Sequence, residues 1–195
     1  MKNIYYRESK LRREKCYIKF RARAKISKLS LFKKVLKISD IVKYSEEDIK
    51  EIPYRSNALI EIQSLGLRGV QYKLNKDDDN PIFKKIHAYN SNFVIDTAGA
   101  GDWLTAGIIH VLGKKGSNKL YNISEEEIKN ALNFGQGLAS LNCRYVGARG
   151  MMYNLNKLKL LNLVNKIMNY KNINDINDVN NYNTYREKSI CPNCK

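Results

Sequence analysis

Residues 94–107, VIDTAGAGDWLTAG, set two aspartates, Asp96 and Asp102, on either side of Thr97, Ala98, Gly99, Ala100 and Gly101. Nearly everything between the carboxylates is small, and an apolar run, WLTAGIIHVL, follows directly. A segment with so few side chains lets a ligand or another backbone come close. The pattern predicts a strand at FVI, residues 93–95, then a Gly-rich turn, then a helix from about Ala100 to Leu112 stopped by Gly113. Such a turn at the carboxyl end of a parallel strand is where open α/β sheets bind ligands.

The first amides of a helix have no partner inside it, and the helix dipole adds partial positive charge there. A Gly-rich entry can therefore hold a phosphate. The same dipole favours a carboxylate in the first turn, where Asp102 falls. A carboxylate beside an anion-binding loop suits a base that takes a proton from an attacking hydroxyl. A generic strand-to-helix turn with a helix-stabilising acid uses the same residue types, so local physics leaves both readings open.

Working outward, the 195 residues are enough for one ordinary domain, and 43% hydrophobic residues can bury a core. No stretch approaches the roughly 18 apolar residues of a membrane span, and no apolar segment follows the basic N-terminus as in a secretory signal. Four cysteines, at 16, 143, 191 and 194, are too sparse for a disulfide framework, which points to a reducing, cytoplasmic setting. The net charge of +16 is concentrated: residues 1–37 hold 14 Lys or Arg against two Glu, a net of +12, and leave +4 for the rest. Tyr5, Tyr6, Tyr17 and Phe20 interleave with those charges as on a single-strand-binding surface, but a solvated arm is the expectation and nucleic acid is not the expected partner.

From residue 29 the pattern becomes regular. LSLFKKVLKIS reads as an amphipathic helix, DIVKYS as a short strand, and SEEDIKEI as a helix capped by Ser45. NALIEIQSLG, GVQYKL and IFKKIHAY read as strands, with KDDDNP as a turn. Ser124 followed by Glu127 forms a capping pattern that opens a helix running to about Tyr145, and LNKLKLLNLVNKIMNY is a last amphipathic helix. The division is a basic arm at 1–27, a globular part at 28–170, and an Asn-rich tail at 171–195. Strands alternating with helices predict an α/β fold, a three-layer sandwich of Rossmann-like type.

Asp96-Thr97-Ala98-Gly99-Ala100-Gly101-Asp102, followed by Gly107, resembles the C-terminal signature D-T-x-G-A-G-D-x-x-x-x-G of the ribokinase/PfkB carbohydrate kinases. The resemblance implies a ribokinase-like fold and transfer of a phosphoryl group from ATP to a sugar hydroxyl, with magnesium and potassium as cofactors. It implies that Asp102 is the catalytic base and that Gly99, Ala100 and Gly101 form the anion hole. SLGLRG, residues 64–69, is similar to the family's T-L-G-x-x-G nucleotide loop, which assigns nucleotide binding to Ser64, Gly66 and Gly69, and to Gly101. NFGQGLASLNCRYVGARG resembles the late helix and loop; Gln136 is implied to lie near the adenine, and Asp96, Ala98, Asn142, Tyr145 and Gly147 near a monovalent cation.

Two departures accompany the match. The family's N-x-x-E element aligns with Ser45 and Asp48, and a helix cap accounts for Ser45 equally well. The resemblance covers about residues 28–168, and no counterpart of the family's N-terminal half and lid is found. The fold is therefore expected to be incomplete, with low activity alone and either a complementing N-terminal half or a second copy as partner. A non-catalytic nucleotide-binding remnant or a basic-arm nucleic-acid binder is the alternative. Cys191-Pro-Asn-Cys194 has zinc-knuckle spacing but needs two further ligands; Cys143, His87 and His110 read as structural, and Trp103 lines the pocket or packs in the core.

Overall fold

The computed structural model describes residues 16–19, 29–49, 56, 58–76, 81–89, 93–113 and 120–170. The elements are β1 (Cys16–Lys19), α1 (Leu29–Ile38), β2 (Ser39–Ser45), α2 (Glu46–Ile49), β3 (Ile60–Ser64), β4 (Val70–Leu74), β5 (Lys84–Ile86), α3 (Ala100–Gly113), α4 (Glu125–Asn142), α5 (Gly150–Asn154) and α6 (Lys157–Tyr170). The five strands form one sheet in sequence order; β1 and β3 run parallel to β2, and β4 runs antiparallel to both of its neighbours, β3 and β5. The parallel pair β2–β3 is joined by a crossover through α2, whereas the tight turn at Gly66–Arg68 makes β3 and β4 a hairpin. Tail residues 171–195, with Cys191 and Cys194, and most of the arm at 1–27 lie outside the described residues.

Alternation along the strands sends one side of the sheet to the helices. Ile41, Ile60, Ile62, Val70 and Tyr72 pack against Leu104, Ile108 and Leu112 of α3 and Ile128, Ala131 and Leu132 of α4. A second cluster lies on α4's other side, where Phe134, Leu138 and Leu141 meet Met151, Leu163, Val164 and Ile167. The opposite side of the sheet carries a buried polar network: the Tyr44 hydroxyl donates to Glu61, and Lys73 pairs with Glu61 at 3.0 Å. Burial, with the neighbouring Glu61 carboxylate, pushes the Tyr44 phenol well above its ordinary pKa.

The helices α3 and α4 cross where neither has a side chain. A Cβ on Gly107 would stand 2.5 Å from the Gly135 Cα, and one on Gly135 would stand 2.6 Å from the Leu104 carbonyl oxygen. That contact brings the N-terminal half of α3 firmly onto α4 and under the sheet. At the start of α4, Ser124 and Glu127 form the expected capping box.

The α/β architecture read from the sequence is present, and several element boundaries differ. Residues 93–95 do not form a strand: the amides of Ile95 and Asp96 both donate to the Cys143 carbonyl, at 2.8 and 3.2 Å. An apolar triplet reads as a strand by composition, but its hydrogen bonds go to the end of α4 instead of to a sheet. The strand expected across NALIEIQSLG is confined to 60–64, and that across IFKKIHAY to 84–86. The long helix stops at Asn142, three residues short of Tyr145, with Cys143 as its half-buried C-cap.

Candidate active site

Asp96 organises the quoted loop. Its Oδ1 accepts from the Ala98 amide and its Oδ2 from the Gly147 amide, both at 2.8 Å. The Ala98 and then the Gly147 amide hold the carboxyl below the usual carboxylate range. The Ala98 carbonyl accepts from Asn142 Nδ2 at 3.0 Å. Three separate stretches (the loop, the end of α4 and the turn after it) are thus tied at one point.

Gly99 has φ +77°, and a Cβ there would lie 2.7 Å from the Ala148 Cβ. Its backbone turns the chain into α3: its carbonyl accepts from the amides of Asp102 and Trp103, each at 2.9 Å. Trp103 Nε1 donates to the Ala148 carbonyl at 2.9 Å and the ring borders the second core cluster, so the indole braces the loop from behind. Asp102 lies in the first turn of α3 with an exposed side chain.

Among the described residues, the space around Gly101 is open. The nearest outside atom to a Cβ built there is Lys43 Nζ, at 4.0 Å. Lys43 is only 3% exposed and comes from the carboxyl end of β2, on the helix-facing side of the sheet two residues beyond Ile41. Sequence reading passed over it. The available signal was a lysine inside the apolar strand pattern DIVKYS, at a position whose neighbours are buried.

The second expected loop starts beside that strand end. Ser64 is in register with Ser45, and its hydroxyl donates to the Tyr44 carbonyl at 3.4 Å. Among the described residues nothing lies within 4 Å of a would-be Cβ on Gly66, whereas one on Gly69 would fall 2.1 Å from the Ile86 carbonyl oxygen. Arg68 pairs with Glu46, both exposed, across the mouth of this turn. Gln136 is buried and donates to the His87 carbonyl at 3.3 Å, so it fastens the segment after β5 to α4. Ser45 and Asp48 satisfy each other's backbone: Asp48 Oδ2 accepts from the Ser45 amide at 2.9 Å, and Ser45 Oγ from the Asp48 amide at 3.1 Å. That is a helix cap.

Asn142 is fully buried, and its Oδ1 has no hydrogen-bond partner among the described residues. A buried orphan oxygen on a side chain that, like Asp96, is hydrogen-bonded to the backbone of Ala98 is the oxygen-donor chemistry of a hard cation. Tyr145 is buried beneath the turn, with Gly150 packed against its Cβ. Among the described residues no cluster of three His, Cys, Asp or Glu side chains is assembled. His110 stacks on Phe134 at 5.4 Å, and His87 is exposed.

Neither a protein-family model nor a curated protein matches the chain. Solved structures do. A fructokinase with bound ATP from Xylella fastidiosa matches at a TM-score of 0.56 and 16% identity, over 68% of this chain and 44% of that one. The fold is ribokinase-like. The ribokinase of Giardia lamblia matches at 0.54 and 19% identity, over 69% of this chain and 46% of that one. The Vibrio cholerae fructokinase in its fructose-, ADP- and calcium-bound form matches at 0.51 and 21% identity, over 68% and 42%. This chain therefore spans less than half the length of these ribokinase-like neighbours.

Proposed function

We propose that the chain is the nucleotide-binding and catalytic part of an ATP-dependent carbohydrate kinase. One observation carries the reading: Asp102 stands in the first turn of α3, directly after the Gly99–Gly101 entry that leaves open space at the helix N-terminus. The solved neighbours of this fold include a fructokinase with bound ATP, and one with fructose and ADP, which supports the same substrate classes here.

In this reading ATP lies along the carboxyl edge of β2 and β3, bordered by Ser64 and the Gly66–Gly69 turn, with Gln136 behind the base side. Its terminal phosphoryl group points at Gly99, Ala100 and Gly101. The amide end of α3 stabilises the charge that builds on that group during transfer. Asp102 takes the proton from the acceptor hydroxyl as its oxygen bonds to the γ-phosphorus. The bond from that phosphorus to the β,γ-bridging oxygen breaks, and ADP leaves with the bond's electron pair.

Magnesium would arrive with the nucleotide, since it takes most of its ligands from phosphate and water, and would neutralise phosphate charge. Ser45 and Asp48 already satisfy each other and are not assigned to it. Potassium would sit at Asp96, Ala98, Asn142, Tyr145 and Gly147, where the orphan oxygen of Asn142 offers a ligand and the ion would rigidify the anion loop. The acceptor's own contacts are assigned to a complementing N-terminal half or a second copy, so nucleotide binding is expected of this chain alone and sugar phosphorylation is expected to be weak.

The test is Asp102→Asn, which keeps the shape and removes the base. ADP formation dependent on added fructose or ribose should fall roughly 10²- to 10⁴-fold, with nucleotide affinity little changed. Undiminished turnover would reduce the carboxylate to a helix-stabilising acid.

A further inference from the structure

We infer that Trp103 is a positioning residue that couples a monovalent cation beside Asn142 to the phosphoryl-binding loop at Gly99–Gly101. Through its indole, the cation and a nucleoside triphosphate each tighten the binding of the other. The inference rests on the kinase reading of the loop and deepens it. The signature D-T-x-G-A-G-D-x-x-x-x-G leaves position 103 open, so the role comes from the contacts that this tryptophan makes.

Trp103 closes a ring of contacts between two separate parts of the chain. Its backbone amide donates to the Gly99 carbonyl at 2.9 Å, which fixes it to the point where α3 begins. Its side chain reaches the other way, and Nε1 donates to the Ala148 carbonyl at 2.9 Å. Ala148 completes the ring, because a Cβ on Gly99 would stand 2.7 Å from the Ala148 Cβ. Gly99 thus meets Ala148 through its missing side chain, and Trp103 holds both. The half-buried ring also packs against the second core cluster, which leaves the indole little freedom to swing.

The turn that contains Ala148 has little packing of its own. Val146 is 65% exposed, and Ala148 and Arg149 are exposed as well. Gly147, at φ +80°, has nothing within 4 Å of a would-be Cβ among the described residues. Hydrogen bonds tie this turn to the loop, from the Gly147 amide to Asp96 Oδ2 at 2.8 Å and from Trp103 to Ala148. A segment with so little burial owes its order to such bonds. The two reach different places. The Asp96 bond holds the start of the loop, whereas the Trp103 bond holds the first turn of α3, directly behind Gly101.

The orphan Oδ1 of Asn142 lies where this turn leaves α4, and its Nδ2 donates to the Ala98 carbonyl at 3.0 Å. An ion held by that oxygen and by backbone of the turn would restrict the turn's motion. Trp103 passes the restriction to the amides at the entry of α3, whose order sets how well they meet a phosphoryl group. Such coupling is reciprocal: what the cation adds to triphosphate binding, the triphosphate adds to cation binding. An indole that only filled core space would leave the two ligands independent.

The experiment is calorimetry on the whole chain with AMP-PNP, a non-hydrolysable ATP analogue, in potassium chloride and in tetramethylammonium chloride at equal ionic strength. In the unaltered protein potassium should tighten AMP-PNP by about fivefold or more. Trp103→Phe keeps an aromatic ring and removes the N–H, and should bring the ratio of the two affinities close to one. Trp103 is the chain's one tryptophan, so benzothienylalanine, an isostere with sulfur in place of the N–H, can be put there alone. It should give the same result, and it decides the matter if the Phe variant does not fold. The emission of Trp103 should also shift as potassium is added without nucleotide. A full potassium effect in the folded Phe variant or the isostere, no potassium effect in the unaltered protein, or an emission that ignores potassium overturns the coupling and leaves the kinase reading standing. An unaltered chain that binds AMP-PNP in neither salt overturns that reading itself, and this inference with it.

Discussion

Two glycine-rich turns, at 64–69 and at 96–102, look alike on the page and differ in the structure. In the first, the glycines have separate work: Gly69 lets the backbone of Ile86 to Ala88 pass where its side chain would be, and Gly66 turns the chain in open space. In the second, the small residues are held from outside, by Gly147 on the Asp96 carboxylate and by Ala148 against Gly99. A missing side chain can serve the fold or a ligand, and the difference lies in what occupies the space. At Gly69 that space is filled by backbone. At Gly101 the nearest outside atom among the described residues is the tip of Lys43, 4.0 Å away.

The sharpest way to break this contrast is Gly69→Ala. Positive φ and overlap with three backbone atoms of the β5 segment act together, so a loss of about 3 kcal/mol or more in unfolding free energy is expected from urea titration. A neutral result would mean that the β5 segment moves aside freely, and the turn would then be as open as the one at Gly101.

Asp96→Asn probes the other turn. Asp96 has its folded pKa depressed by the Ala98 and Gly147 amides, so the stability it adds is complete above the ordinary carboxylate range. That stability is lost as pH falls through the depressed folded pKa. The unaltered protein should therefore lead Asp96→Asn in urea midpoint near neutral pH, and the lead should shrink in acid. An equal lead at both pH values would show that the loop is held by packing alone.

The smallest expected effect is Gly66→Ala. Among the described residues nothing fills the space, so the left-handed backbone is what opposes the methyl group, at about 1 kcal/mol. If nucleotide affinity falls further than stability does, the turn contacts the ligand. If the two fall together, Gly66 serves the hairpin only.

Much of the local structure could be read from neighbouring residues. Alanine and glycine before an apolar run marked the start of α3, and Ser124 with Glu127 marked that of α4. These signals act within one helical turn, where a cap side chain finds an amide three residues away. Residues 93–95 failed for the same reason: composition favoured a strand, but strand formation needs a partner, and their amides met the end of α4 instead.

What the sequence by itself determined is the order of helices and strands, the helix entry at Ala100 and the carboxylate in its first turn, because each depends on contacts a few residues apart. What only the tertiary structure decided is how those pieces meet. Gly107 against Gly135 is a crossing of two helices, Trp103 on the Ala148 carbonyl ties α3 to the turn after α4, and Lys43 under Gly101 joins a strand to a helix far along the chain. In each of these the partner is chosen by packing of the whole sheet and its helices, so spacing along the chain could not reveal it.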